Sequence, residues 1–395
     1  MREKLLNVKE IPLSLYIHLP WCKKKCPFCD FNSHQIISEL PEEKYCQALL
    51  NDFFDVLPVI RGRNIKTIFF GGGTPNIFSP KSIGNLLSEI KKNTDVDINA
   101  EVTLESNPSI FESDDSSIYE NLSLFRQFGI NRLSVGVQTF NDSYLKNLGR
   151  DYTGADATKF LTSASKIFDD VNVDLMYGIP NQNIENALKD ISLITSFNVN
   201  HISLYQLNIE PNTYFYKYPP KLPSEDLIEK IYKSNVGILN KNEFFQYEIS
   251  AYANNNKKCM HNLNYWKFGD YVGIGSGAHS KITTNNNLIE RHECVKNPST
   301  YLKSLTEKPR QKYRKRRVVN EKDIIFEFML NGLRLTDGIS ISDFLCRTGC
   351  KEEEISPQVD IALQKGLLEK VGNTLKPTIK GLNFLNDLQI IFLQS

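Results

Sequence analysis

The chain has 395 residues, of which 41% are hydrophobic and 24% charged. That is too long for one ordinary core and predicts a soluble protein with two domains. Lysine plus arginine (47) nearly cancels aspartate plus glutamate (46), so no bulk field steers the chain toward nucleic acid or anionic lipid, and a partner must be recognised locally.

The start, MREKLLNVKE, has scattered charges and no apolar run of signal length. No later stretch approaches the roughly 20 apolar residues of a membrane helix, which predicts a cytoplasmic protein without an integral membrane segment. Eight cysteines in this length make no disulfide scaffold, but three of them crowd into positions 22 to 29.

Short apolar or alternating runs at 13–20, 67–73, 99–106, 132–139, 171–178 and 201–208 predict six strands. Segments of helical period lie between them, such as EEKYCQALLNDFFDVL and the stretch after Pro180. That alternation implies parallel strands with right-handed crossovers, an α/β chain folded as a partial (β/α)6 TIM-like barrel. Polar or glycine-rich features sit at the strands' C-terminal ends: the cysteines, Gly71 to Pro75, Glu105, Gln138, Asp174 and Asn208. Loops at that edge converge on a ligand.

After about residue 220 the alternation fades, and the run HNLNYW (261–266) is followed by DYVGIGSGAHS. From about 298 the basic segment KPRQKYRKRR leads into helices (FEFMLNGLRL, PQVDIALQKGL) and a hairpin turning at Gly372-Asn373, which resembles a small winged-helix-like domain. The expected division is a barrel over 1–240, a barrel extension carrying HNLNYW over 241–297, and a C-terminal domain over 298–395.

Cys22-x3-Cys26-x2-Cys29 puts three thiolates on one tight loop. They can bind three irons of a [4Fe-4S] cubane and leave the fourth open. The amino and carboxylate groups of S-adenosylmethionine can chelate that iron, and one electron then cleaves the sulfonium to a 5′-deoxyadenosyl radical. A closed zinc site is the other reading; it needs a fourth ligand, for which His34 is the nearest downstream residue. Gly71-Gly72-Gly73-Thr74-Pro75 lacks the lysine and hydroxyl of a P-loop, so its glycines serve either close approach to a ligand or a tight turn.

Glu105, Gln138, Arg150 and Asp174 recur on one rim, where carboxylates can hold ribose hydroxyls or an amino group and Arg150 a carboxylate. Singly, each is more often a capping or solvated residue. The glycines of GIGSG fit no dinucleotide fingerprint and serve a turn. His261, with Asn262, Tyr265 and Trp266, joins a metal ligand to flat aromatic surfaces that suit a porphyrin, against the alternative of a hydrogen-bonded structural histidine. Six basic residues in eight, Arg310 to Arg317, read as a solvated interdomain linker in preference to a nucleic-acid patch.

YIHLPWCKKKCPFCDFNSH, GGGTP, LESNP, RLSVGVQTF, NVDLMYGIP, IEPNT, HNLNYW and GIGSGAH, in that order, resemble the HemW heme chaperones, relatives of oxygen-independent coproporphyrinogen III oxidase. The likeness implies a radical-SAM partial barrel with a HemN-type C-terminal domain. It assigns Tyr16, Gly72 and Glu105 to cluster-bound S-adenosylmethionine, with Phe28 and His279 making backbone contacts nearby. Gly73, Thr74, Gln138, Arg150, Asp174 and Asn208 match positions that hold a second S-adenosylmethionine in the oxidase. Phe31 stands where the oxidase has a further cysteine, and Tyr16 lies too near the start for the oxidase's N-terminal segment. The resemblance therefore implies a carrier that binds heme and delivers it to an acceptor such as a respiratory cytochrome; His261 is the candidate heme ligand, and a homodimer is the candidate assembly. The alternative is a radical-SAM oxidoreductase of the oxidase type.

Overall fold

The computed structural model describes residues 6–110, 115–254, 256–309 and 311–393. The six predicted strands are present as β1 (Leu13–Leu19), β2 (Ile65–Gly72), β3 (Val96–Ser106), β4 (Arg132–Gln138), β5 (Val171–Tyr177) and β6 (His201–Gln206). They are parallel neighbours in that order. Helices such as Glu42–Ile60, Pro80–Asn93 and Gly154–Ile167 cross between them. Local signals start these helices: Ser79 accepts from Ser82 N at 3.2 Å, and Thr153 with Asp156 forms a capping box.

Side-chain alternation decides which face of each strand is which. In β4, Leu133, Val135 and Val137 join the apolar cluster under the helices, whereas Arg132, Ser134 and Gln138 face the barrel interior. β5 repeats this with Val171, Val173 and Leu175 against Asn172, Asp174 and Met176. Closed barrels fill their interior with branched apolar residues; this open one keeps a polar, hollow inside.

The sheet does not stop at six strands. Among the described residues it has 12, extended on one edge by β7 (Phe245–Glu248) and β8 (Ala251–Ala253) and on the other by β9 (Asp270–Ile274), β10 (His279–Thr283), β11 (Ile289–Cys294) and β12 (Arg314–Val318). β9 runs parallel to β1, and β10 to β12 follow antiparallel. Charged residues hid these strands from a reading by apolar runs. Arg314 to Arg317 of the basic run belong to β12, which corrects the linker reading for those residues: Lys315, Arg316 and Arg317 are exposed as expected, but Arg314 is buried in an ion pair with Asp52 and donates to Gly273 O at 3.0 Å. Arg310 lies outside the described residues.

A second apolar cluster joins Phe268 and Ile289 to Ile324, Phe328 and Phe344 of the C-terminal helices. Its small sheet, β13 (Ile339–Ser340), β14 (Leu368–Val371) and β15 (Thr374–Pro377), contains the expected hairpin, with Gly372 at φ +57° in the turn. Buried charges tie the two clusters together. Asp270 accepts from Arg63 at 2.8 Å and from Lys281 at 2.9 Å, and Lys281 also donates to Phe268 O at 3.0 Å. Buried charges persist when paired in this way. Among the described residues no helix is long and apolar enough to cross a membrane.

Candidate functional site

The C-terminal ends of β1 to β6 open into a cavity of about 630 Å³. Cys22, Cys26 and Cys29 line its mouth, on a loop held by Ile36 N donating to Cys22 O at 3.0 Å and Cys29 N to Cys26 O at 3.2 Å. All three are free thiols. Burial, and then the neighbouring thiols, push Cys22 upward; burial also raises Cys26, although the Arg150 guanidinium pulls it down. His34 turns toward Asn32 Oδ1 at 3.3 Å and is not part of the cavity wall. The fourth ligand of a closed zinc site is therefore not supplied by the residue the sequence offered.

The Gly71 to Pro75 turn packs directly on this loop. Gly73 N donates to Leu19 O and Thr74 N to Trp21 O, each at 2.8 Å. A Cβ on Gly73 would sit 2.4 Å from Trp21 O, and one on Gly72, at φ +116°, 2.5 Å from the His18 ring. Both open readings of the glycines thus meet here: the turn is tight, and its Gly72 and Gly73 still face the cavity.

Glu105 accepts from Gly72 N at 3.0 Å, and burial, with Asp174 nearby, raises its pKa to about 8. Burial raises Asp174 too, against hydrogen bonds from Asn172 Nδ2 at 2.8 Å and from Ser203. Arg150 lies 5.8 Å from the Phe28 ring, and its Nε has no hydrogen-bond partner among the described residues. Gln138 holds a positive φ of 67° and accepts from Tyr205 OH. Asn208, Thr74 and Tyr16 complete the wall. Raised thiols and carboxylates in one cavity are acids whose charge burial suppresses, and ligands that bring positive charge relieve that cost. Irons at the thiols and an ammonium at Glu105 have that character, so the donor set fits an iron-sulfur cluster with an amino-acid-bearing ligand.

Sequence reasoning missed the floor of the cavity. Arg132, Ser134, Asn172, His201, Ser203 and Tyr205 all line it. The signal was available as polar residues at every second position in RLSVG, VNVD and HISLY.

His261 reaches this floor from the helix Met260–Trp266, whose N-terminus Glu101 holds by accepting from Met260 N and His261 N, both at 2.9 Å. Both ring nitrogens are engaged, Nδ1 with Thr67 Oγ1 at 2.7 Å and Nε2 with Tyr265 OH at 2.8 Å. Burial, then Arg132, lowers its pKa to about 3, so the ring is neutral. HNLNYW therefore does not stand apart from the cysteine loop: His261 and the thiols share one cavity.

A second cavity, of about 550 Å³, lies between β10 and β11, the end of the HNLNYW helix and the C-terminal helix Glu321–Gly332. Tyr16, Gly72, Glu105 and Tyr265 border both cavities. Trp266, Phe268, Tyr271, Phe31 and His279 face only the second, apart from Phe31, which reaches both. His279 is thus the one residue of the expected S-adenosylmethionine set that does not line the first cavity.

Comparison with known proteins agrees with this architecture. Residues 16–194 match the radical SAM superfamily and residues 319–384 the HemN C-terminal domain. The chain is 43% identical to the heme chaperone HemW of Buchnera aphidicola from Acyrthosiphon pisum over 97% of its length and 99% of that protein. It is 40% identical to HemW of Escherichia coli, over 98% of this chain and 99% of that one. Among solved structures, coproporphyrinogen III oxidase (HemN) from Escherichia coli superposes with a TM-score of 0.80 at 21% identity, covering 97% of this chain and 90% of that one.

Proposed function

This chain belongs to the HemW family of the radical SAM superfamily, and we propose that it is a heme chaperone, which binds heme and passes it to an acceptor protein such as a respiratory cytochrome. The observation that carries this reading is the HNLNYW helix, whose Tyr265 lines both a thiol-lined cavity and an aromatic one. A protein so built can make heme occupancy on one side answer to the state of the other.

On the thiol side, Cys22, Cys26 and Cys29 would hold a [4Fe-4S] cluster. Such a cluster supplies a single electron to the sulfonium of S-adenosylmethionine when both are bound. Glu105 would take the ligand's ammonium and give up its own proton on doing so, and Arg150, whose Nε has no hydrogen-bond partner among the described residues, would take a carboxylate. Asp174 and Asn208, which line the same cavity, would accept from ribose hydroxyls or from a second such ligand. The chaperone works in the cytoplasm on this reading, and pairs with a second copy or with the acceptor.

The test is transfer. Heme-loaded protein with its cluster reconstituted anaerobically is mixed with an apo-cytochrome, the two are separated, and each absorbance spectrum is recorded. The reading expects heme to leave the chain and the cytochrome spectrum to appear. Heme that is never passed on, together with carbon dioxide released from coproporphyrinogen III, would establish the oxidase instead.

A further inference from the structure

The HNLNYW motif lines two cavities. His261 points into the barrel floor with both nitrogens hydrogen-bonded, to Thr67 and Tyr265. Ligation there would first have to break one of these buried bonds. Trp266 turns instead to the second cavity, with Arg334 at 4.4 Å over one face of its ring, and Tyr271 adds a second half-buried ring there, whereas Phe268 is buried beneath Lys281. At about 550 Å³ that cavity lies in the ~300–1,000 Å³ range of small-molecule sites.

Of the six histidines, His18, His34, His201, His261 and His292 each hydrogen-bond through at least one ring nitrogen. His279 makes no hydrogen bond through its ring to any described residue, is exposed, and lines this cavity. Its strand register explains the orientation. In β10, His279 and Lys281 share a face, opposite Glu293 and Arg291 of β11. Lys281 is spent on Asp270 and Phe268 O, and Arg291 on Glu327 and Tyr271. Lys296 lines the same cavity, is exposed and has no ion pair among the described residues.

We infer that this second cavity is the heme site, with His279 as the axial ligand, Trp266 and Tyr271 against the porphyrin face, and Lys296 at a propionate. The inference rests on the heme-carrier reading and names its site. Iron needs a neutral imidazole. Partial desolvation where its ring meets the cavity wall lowers the His279 pKa, and Lys296 and Arg291 lower it further, while Glu293 opposes them. A planar dianion with a central metal is the ligand that uses an aromatic wall, a free imidazole and a rim cation together.

The test is a heme titration of wild type, His279→Ala and His261→Ala at matched iron-sulfur content, followed in the Soret region. Wild type that binds no heme sinks the carrier reading. If wild type binds, His279→Ala should weaken binding roughly tenfold or more and lose the histidine-ligated spectrum, and added imidazole should restore that spectrum. His261→Ala should keep the spectrum. An unchanged spectrum in His279→Ala, or imidazole rescue in His261→Ala in its place, overturns the inference, and Lys296→Ala should weaken affinity without altering the ligand bands.

Discussion

The barrel cavity takes its walls from the six consecutive parallel strands β1 to β6, whereas the outer cavity is assembled from an antiparallel extension, the end of a short helix and a helix of the C-terminal unit. The first is lined by acids whose charge is suppressed, Cys22, Cys26, Glu105 and Asp174, and by two cations, the buried Arg132, paired with Asp170, and Arg150. The second is lined by rings and by cations, most of them already paired. Tyr16, Phe31, Gly72, Glu105 and Tyr265 border both cavities, so on the proposed reading a cluster-bound cation on one side and a planar dianion on the other would lie in adjoining spaces. Proximity then couples them without a shared ligand.

The largest expected effect breaks the comparison on the barrel side. Serine in place of Cys22, Cys26 or Cys29 should abolish the charge-transfer absorption of the anaerobically reconstituted protein, while Cys46→Ser, on helix Glu42–Ile60 and not part of the cavity wall, should leave it intact. One zinc and no iron or sulfide by metal analysis would end the cluster account. Next comes the seat of the dividing helix. Glu101→Ala removes the acceptor of Met260 N and His261 N and one partner of buried Arg132, which should cost about 3 kcal/mol in urea unfolding. A loss within error would mean that the helix is held by packing alone.

A smaller effect reads the suppressed charge directly. The folded pKa of Glu105, about 8, lies above its ordinary value of 4.5, so its protonated form is the stabilised one. Its contribution is complete below pH ~4.5 and is lost as pH rises toward 8. The cluster-free protein should therefore lose thermal stability across that window, and Glu105→Gln should flatten the decline; parallel curves for the two proteins would assign the burial penalty elsewhere. The smallest effect lies at the outer rim. Arg317, exposed and 3.6 Å from Glu327, should contribute no more than ~0.5 kcal/mol when changed to alanine, because Arg291 keeps that carboxylate paired.

The barrel half was legible because one repeating signal, an apolar run closed by a polar or glycine residue, marks each of its strands. The bounds of β1, β4, β5 and β6 fall within two residues of their expected ends. β10 to β12 were not legible in this way. HSKIT, IERHEC and RKRRV carry charges on a face that is covered by tertiary contact, through Lys281 to Asp270, Arg291 to Glu327 and Arg314 to Asp52. Periodicity reports burial by apolar atoms and is silent where ion pairs do the covering. For the same reason His261 looked separable from the cysteines: β9 pairs with β1 across more than 250 residues of chain, and nothing local records that return.

The central claim is that cluster and heme occupy adjoining but distinct cavities, and the most direct measurement is a heme titration of the Cys22→Ser, Cys26→Ser, Cys29→Ser triple variant beside wild type. The account predicts that the variant, with no iron-sulfur absorption, binds one heme per chain with the wild-type Soret position. A variant that is folded by circular dichroism yet binds no heme, or binds it with a different axial-ligand spectrum, would contradict it.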